Sequence, residues 1–160
     1  MTTETETLCP CGQNDREHPH LYTDCCAPYH QNIKTAGTPE KLMRSRYAAF
    51  VLGEYDYLIQ THHRDYLGDL TVEVLAEHTP QWLSLQVLST QTKGDVGEVC
   101  FQAWYRDGNN IDAIHECSQF VQEANRWFYT QGTQKPAIYP KRNDTCLCNS
   151  GRKYKQCCLK

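Results

Sequence analysis

Eight of the ten cysteines in this 160-residue chain fall into two tight groups. Cys9, Cys11, Cys25 and Cys26 lie near one end, and Cys146, Cys148, Cys157 and Cys158 near the other. In the second group four thiolates within thirteen residues can surround one tetrahedral Zn2+ without help from distant sequence. Asn149-Ser150-Gly151 supplies the turn after the first pair, and Gly151 can take a backbone angle that other residues resist. So short a segment has no hydrophobic core, and a bound metal would supply most of its folding energy. The competing reading is a redox or disulfide cluster. The first group varies the same pattern: Cys9-Pro10-Cys11-Gly12 opens it, and Tyr22 precedes the Cys25-Cys26 pair by three residues, as Tyr154 precedes Cys157-Cys158. Thirteen residues instead of eight separate its pairs, and this stretch carries His18 and His20. All-cysteine ligation therefore competes with replacement of one thiolate by a histidine; the plain role of both histidines is in a longer surface loop. The expectation is two zinc ions per chain, each in a closed structural site with no ligand position left for substrate. Cys100 and Cys117 stand alone in strand-like apolar segments and read as inert core residues.

Evidence for a catalyst is thin. The polar candidates of the middle region are Arg44, Arg46, His62, His63, His115 and Glu116. Arg44 and Arg46 cannot both face the same way on a helix, so one meets solvent while the other lines an opening or pairs with a core acid. His115 shares a strand face with Ala113 and Cys117, whereas Glu116 points the other way, which makes the two poor partners for one acid–base step. His62, His115 and Glu116 are the weak catalytic candidates, and a structural role is the commoner one for such residues. There is no phosphate-cradling glycine loop and no serine in a nucleophile elbow.

The elements that must position these groups are legible in outline. Thr38-Pro39-Glu40 is a helix start with an N-cap, a proline at the first position and an acid in the first turn. Leu42, Met43, Tyr47, Phe50 and Val51 then share one broad side, and Gly53 can end the helix in a left-handed conformation. A second helix fits 55–62 and a weaker third 71–77. Alternation predicts strands over 82–90, 96–105, 110–122 and 126–129, with Asp107-Gly108-Asn109-Asn110 as a hairpin turn. The order is three helices and then a four-stranded antiparallel meander, an α+β fold. A sheet of this size curled over a helix can bury a core and leave an internal pocket.

Composition sets the frame. Apolar residues form 39% of the chain, which marks it as globular, and no apolar run is long enough to cross a membrane. Residues 1–8 are rich in Thr and Glu, without the basic and apolar regions of a signal peptide, so a cytoplasmic location is expected, where disulfides seldom persist. The net charge of −3 is unevenly spread: residues 50–134 carry twelve acids against four bases, and residues 135–160 carry seven bases against Asp144 alone. A basic, metal-stapled tail on an acidic body suggests a partner of opposite sign.

The tail, from Cys146-Leu147-Cys148 through Gly151-Arg152-Lys153-Tyr154 to Cys157-Cys158, resembles the SEC-C metal-binding motif found at the C-terminus of the bacterial preprotein translocase motor. The resemblance implies zinc on Cys146, Cys148, Cys157 and Cys158 and a role in partner docking, since the motor's motif contacts an export chaperone and the ribosome. Taken whole, through Pro39 to Gly53 and Ile114-His115-Glu116-Cys117-Ser118-Gln119-Phe120, the chain resembles the YchJ-like (UPF0225) family of bacterial proteins. That family implies SEC-C motifs around a cone-shaped domain of the nuclear transport factor 2-like fold: an N-terminal SEC-C-like segment over 1–34, the cone over 35–134 and the C-terminal motif over 135–160. The family resemblance carries no reaction with it, and the fold hosts enzymes, binding modules and scaffolds alike. The expected function is that of a non-catalytic zinc-binding adaptor. It would dock a protein partner through Arg152, Lys153 and Lys155, with Leu147 and Tyr154 as apolar contacts, in a setting of protein export or the ribosome. The alternatives are a small-molecule-binding protein or isomerase/hydratase-like enzyme using the cone, and RNA or ribosome binding through the basic tail.

Overall fold

The computed structural model describes residues 7–12, 20–77, 79–148 and 150–159; His18 lies outside them. Five helices precede four strands: α1 (Ala27–His30), α2 (Pro39–Leu52), α3 (Tyr55–Gln60), α4 (Arg64–Leu67), α5 (Val72–Glu77), β1 (Gln81–Lys93), β2 (Val96–Asp107), β3 (Asn110–Glu123) and β4 (Arg126–Lys135). The long helix α2 begins where its sequence predicts: the Thr38 hydroxyl accepts the Lys41 amide at 3.1 Å, satisfying one of the amides that a helix start leaves orphaned. It ends at Gly53, whose φ of 77° is the left-handed conformation glycine tolerates best. Two short helices, α1 and α4, have no counterpart in the sequence reading, being single turns of four residues with no room for a periodic pattern.

The strands form one antiparallel sheet in the order β1-β2-β3-β4. Tight turns join them, the last through Ala124 and Asn125, both at positive φ as a two-residue hairpin turn with the twist of its strands requires. β4 runs to Lys135, six residues past the end read from sequence. Its second half, Thr-Gln-Gly-Thr-Gln-Lys, carries no apolar alternation, and pairing with β3 as far as His115↔Lys135 is what holds it extended.

α2 lays Leu42, Met43 and Tyr47 against the inner face of the sheet, where Leu85, Val99, Phe101, Ala103, Phe120 and Trp127 complete the core. The outer face is covered as well. Gln102 and Trp104, which alternate with the core residues of β2, are each 1% exposed. The chain after β4 lies across them: the Ile138 amide donates to Gln102 Oε1 (2.7 Å), Gln102 Nε2 donates back to the Ile138 carbonyl (3.1 Å), and Tyr139 sits on Trp104 with ring centres 5.4 Å apart. His115 belongs to this outer layer, its Nδ1–H donating to the Pro136 carbonyl at 2.8 Å.

Cys100 and Cys117 are directly opposed on the outer face and joined by a disulfide, not held as separate core thiols. Alternation places each on a face; only the strand register brings them opposite one another.

Gly132 has a specific steric cause. A Cβ there would collide with the Glu116 carboxylate, which is buried on the inner face and accepts from Ser118 (2.8 Å), Tyr129 (2.9 Å) and Gln134 (2.6 Å). Gly132→Ala should therefore lower stability by about 1–3 kcal/mol in urea denaturation. Gly37→Ala, where an added Cβ meets nothing within 4 Å, should leave it nearly unchanged.

Candidate metal centres

The two cysteine groups are built by one hydrogen-bond scheme. In the first, residues 8 and 21 form a bridge, the Cys9 amide donates to the His20 carbonyl (2.9 Å), and the Tyr22 amide donates to Thr7 (2.8 Å). In the second, residues 145 and 153 form the bridge, Cys146 donates to Arg152 (2.8 Å), and Tyr154 donates to Asp144 (2.8 Å). Each then makes one 3-10 turn, Tyr22–Asp24 or Tyr154–Gln156, which delivers its adjacent cysteine pair. In both cases the first cysteine of that pair donates its amide to the tyrosine carbonyl at 3.1 Å.

That scheme brings each set of four sulfurs within 4.8 Å of one another. Cys11 and Cys25 are 3.5 Å apart and Cys25 and Cys26 3.9 Å; Cys148 and Cys157 are 3.5 Å apart and Cys157 and Cys158 4.0 Å. A tetrahedron of thiolates about 2.3 Å from a central zinc has edges of roughly 3.8 Å. The spacing fits a four-coordinate ion and leaves it no open position. Among the described residues His20 is not part of the first group, and its carbonyl accepts from the Cys9 amide. A third set, Glu98, Cys100 and Cys117, also lies close together, but its two sulfurs are bonded to each other and are not thiolates.

Crowding four thiols together drives their proton affinities apart. Hydrogen bonds from Cys11 and Cys26 hold Cys9 down to about 2, while the same kind of contact pushes Cys26 up and desolvation pushes Cys25 up. In the second group desolvation raises Cys158; at Cys148 it is outweighed by hydrogen bonds from Ser150 and Cys157, and the thiol falls to about 6. A central dication would resolve that conflict, because a coordinated thiol is deprotonated outright.

The settings differ. The first group is docked on α2: Cys9, Cys11 and Cys26 pack with Ala48, and Arg44 reaches over to donate to the Cys11 carbonyl at 2.8 Å while pairing with Glu40 at 3.1 Å. Tyr22 donates to His30 Nδ1 (2.7 Å), and His30 Nε2–H donates to the Ser45 carbonyl (2.8 Å), which ties the segment to the helix a second time. The second group sits on the outer face of the sheet, with Cys146 and Leu147 packed on Trp104 and Ser84 donating to the Leu147 carbonyl. Arg152 and Lys153 are exposed and Lys155 and Tyr154 half-buried. Leu147, expected on the docking surface, is 6% exposed and is spent on the contact with the sheet.

The structure brings two of the three weak catalytic candidates into one cavity and leaves the third apart. Glu116 and His62 line a cavity between the helices and the inner face, with Arg46 beside them. His115 lies on the opposite face under the Pro136 segment and has no access to that cavity. Sequence parity separates His115 from Glu116 but does not say which of the two faces inward. Arg46 is the buried arginine of the pair on α2, a choice that the helix pattern leaves open.

A model of the YchJ middle, NTF2-like domain matches residues 38–132, and a model of the SEC-C motif matches residues 142–160. A UPF0225 protein of Shewanella sp. strain MR-7 is 50% identical over an alignment covering 97% of this chain and 98% of that protein, and one from strain MR-4 is 49% identical over 95% and 96%. Among solved structures, a SEC-C motif containing protein from Psychrobacter arcticus is 30% identical with a TM-score of 0.71, covering 99% of this chain and 98% of its own. A SEC-C motif containing protein from Rhodopseudomonas palustris is 34% identical with a TM-score of 0.69, covering 73% and 94%.

The unequal burial of the two clusters predicts an order of attack. Under a chelator and an alkylating agent in native buffer, mass spectrometry should find Cys148, Cys157 and Cys158 modified well before Cys9, Cys11 and Cys26. The reverse order would mean that the docking on α2 does not protect the first cluster.

Proposed function

The chain belongs to the YchJ-like, UPF0225 family, and from that premise we propose that it is a cytoplasmic zinc-stapled adaptor that docks an acidic protein surface through its C-terminal knuckle. Each cysteine quartet holds one structural zinc ion: Cys9, Cys11, Cys25 and Cys26 the first, Cys146, Cys148, Cys157 and Cys158 the second. The zinc fixes a loop; it does no chemistry on a substrate. The middle domain is a cone wrapped around α2, with register shifts in β1 and β4 giving the sheet its bend.

The observation that carries this reading is the placement of Arg152 and Lys153. Both are exposed on the short hairpin between the two cysteine pairs, where the Cys146 amide pins the Arg152 carbonyl at 2.8 Å. Cations held on a rigid loop lose less entropy on binding than those of a floppy basic tail. Lys155 and Tyr154 flank them, while Leu147 anchors the knuckle from below. A protein partner is favoured over RNA because an acidic patch on a protein need meet only the basic knuckle, whereas the continuous phosphates of RNA would also meet the acidic surplus of residues 50–134. The SEC-C motif of the translocase motor makes protein export or the ribosome the natural setting.

Two measurements test the proposal. Purified chain should carry two zinc ions, retained in a variant with Arg152, Lys153 and Lys155 all replaced by Ala; a metal-free chain with its eight clustered cysteines in disulfides overturns the zinc assignment. That variant should lose the proteins recovered with the wild type, and an unchanged set, ribosomes included, overturns docking. A binding constant that falls steeply with salt and vanishes after nuclease treatment would assign the surface to RNA instead.

A further inference from the structure

The cavity between the helices and the inner face has a volume of about 310 Å3. Its walls are mainly apolar, with Met43, Phe50, Trp82, Phe101 and Ile114 among them. Its polar groups gather around one ring, that of Tyr129. The Arg46 guanidinium carbon stands 4.8 Å from the centre of that ring, His62 meets it edge-on at 5.0 Å, and the Tyr129 hydroxyl donates to Glu116.

The cluster holds one cation, Arg46, and one acid, Glu116, which act on each other through space but form no direct ion pair. Arg46 is 8% exposed and donates through Nη1 to the Leu58 carbonyl (2.8 Å) and the Thr61 hydroxyl (2.6 Å). Among the described residues none of the ion pairs includes it. Glu116, the one acid in the cavity wall, is served by three neutral donors, Ser118, Tyr129 and Gln134. Desolvation pulls Arg46 down to about 10, so it remains a cation at neutral pH. Both ring nitrogens of His62 are buried and make no hydrogen bond of good geometry, although backbone groups of Tyr66 and Thr130 lie close enough to raise its proton affinity. Desolvation, then Arg46, lowers its proton affinity, so the ring is neutral and offers one donor and one acceptor. A buried cation with no ion-pair partner is costly to keep in an apolar chamber. That cost is offset by an anion with flat oxygen geometry.

We propose that this cavity binds a small monocarboxylic acid with an apolar body, its carboxylate held by the free edge of Arg46 beside the His62 and Tyr129 rings. The rest of the molecule lies against Trp82, Phe101 and Ile114. Arg prefers a planar two-oxygen anion because its fork matches two parallel hydrogen bonds. A dianionic phosphate is disfavoured, since among the described residues one guanidinium is the sole cation in the wall and Glu116 is close by. At about 30 Å3 for each water displaced, the cavity takes a body of roughly ten heavy atoms, near the lower end of ligand pockets, ~300–1,000 Å3. The assignment is independent of the docking surface, which lies on the other side of the sheet.

The test uses the full, zinc-loaded chain and matched probes: cinnamate and octanoate, each against its neutral amide. Ring signals of His62 and Tyr129 are followed by NMR during titration. Both carboxylates should shift these rings and bind roughly tenfold or more tightly than the amides, the difference expected of a charge-assisted contact. Arg46→Met should erase that preference. Because Arg46 also holds Leu58 and Thr61, a second variant, Ala103→Leu, fills the cavity while leaving the arginine in place and should abolish binding of all four probes with zinc content unchanged. Equal binding of acid and amide, no ring shift at millimolar probe, or binding that survives Ala103→Leu overturns the proposal.

Discussion

Trp104 is the residue on which the two halves of this molecule meet. Its neighbours on β2, Phe101 and Ala103, serve the helical core, while its own ring faces outward and is sealed by Cys146, Leu147 and Tyr139. A sheet with one apolar face would need only α2 to cover it. This one has a second apolar patch, centred on Trp104 with Leu83, Ile111 and Ala113 at its margin. The patch is too small to recruit another layer of secondary structure. It is covered by a strap that has no regular structure of its own and takes its shape from Gln102, His115 and the second cysteine quartet. The strap and the sheet are therefore mutually dependent: the cysteine turn supplies the lid and Trp104 supplies the floor.

The two quartets reach one geometry from unequal sequences. Their cysteine pairs are separated by thirteen and eight residues, yet the bridge, the tyrosine amide bond and the 3-10 turn recur in both. A tetrahedral centre constrains only the residues that carry its ligands, and lengthening the loop between them costs little entropy. The site can therefore keep its hydrogen-bond scheme while the intervening loop changes. The same reasoning explains why spacing alone leaves the histidines open as ligands; among the described residues the first group gathers its four cysteines without His20.

Features with a local cause were legible in the sequence. Thr38, Pro39 and Gly53 bound α2 by their own chemistry, the cysteine groups announced themselves by type and spacing, and strand parity put His115 and Glu116 on opposite faces. What depended on register or on a distant cover was not. Cys100 and Cys117 become partners only through the pairing of β2 with β3. The second half of β4 is extended because β3 extends beside it, not because its polar residues ask to be. Leu147 looked like a contact offered to a partner, since nothing near it in sequence hints that Trp104 waits beneath. Arg46 fell inside because Met43 and Phe50, one turn to either side, face the cavity too.

The position of the strap in the chain has a consequence for biosynthesis. Residues 136–148 cover an outer face made entirely of residues that leave the ribosome before them. Until the strap arrives, a partly made chain can close its helical core yet still display Trp104 and its neighbours to water. The sheet's last hydrophobic surface is hidden only when the segment carrying the final four cysteines has been synthesised and gathered into its turn. Burial of the outer face thus waits on synthesis of the strap and closure of the second cysteine turn, and a chain that stalls before residue 148 would leave Trp104 uncovered.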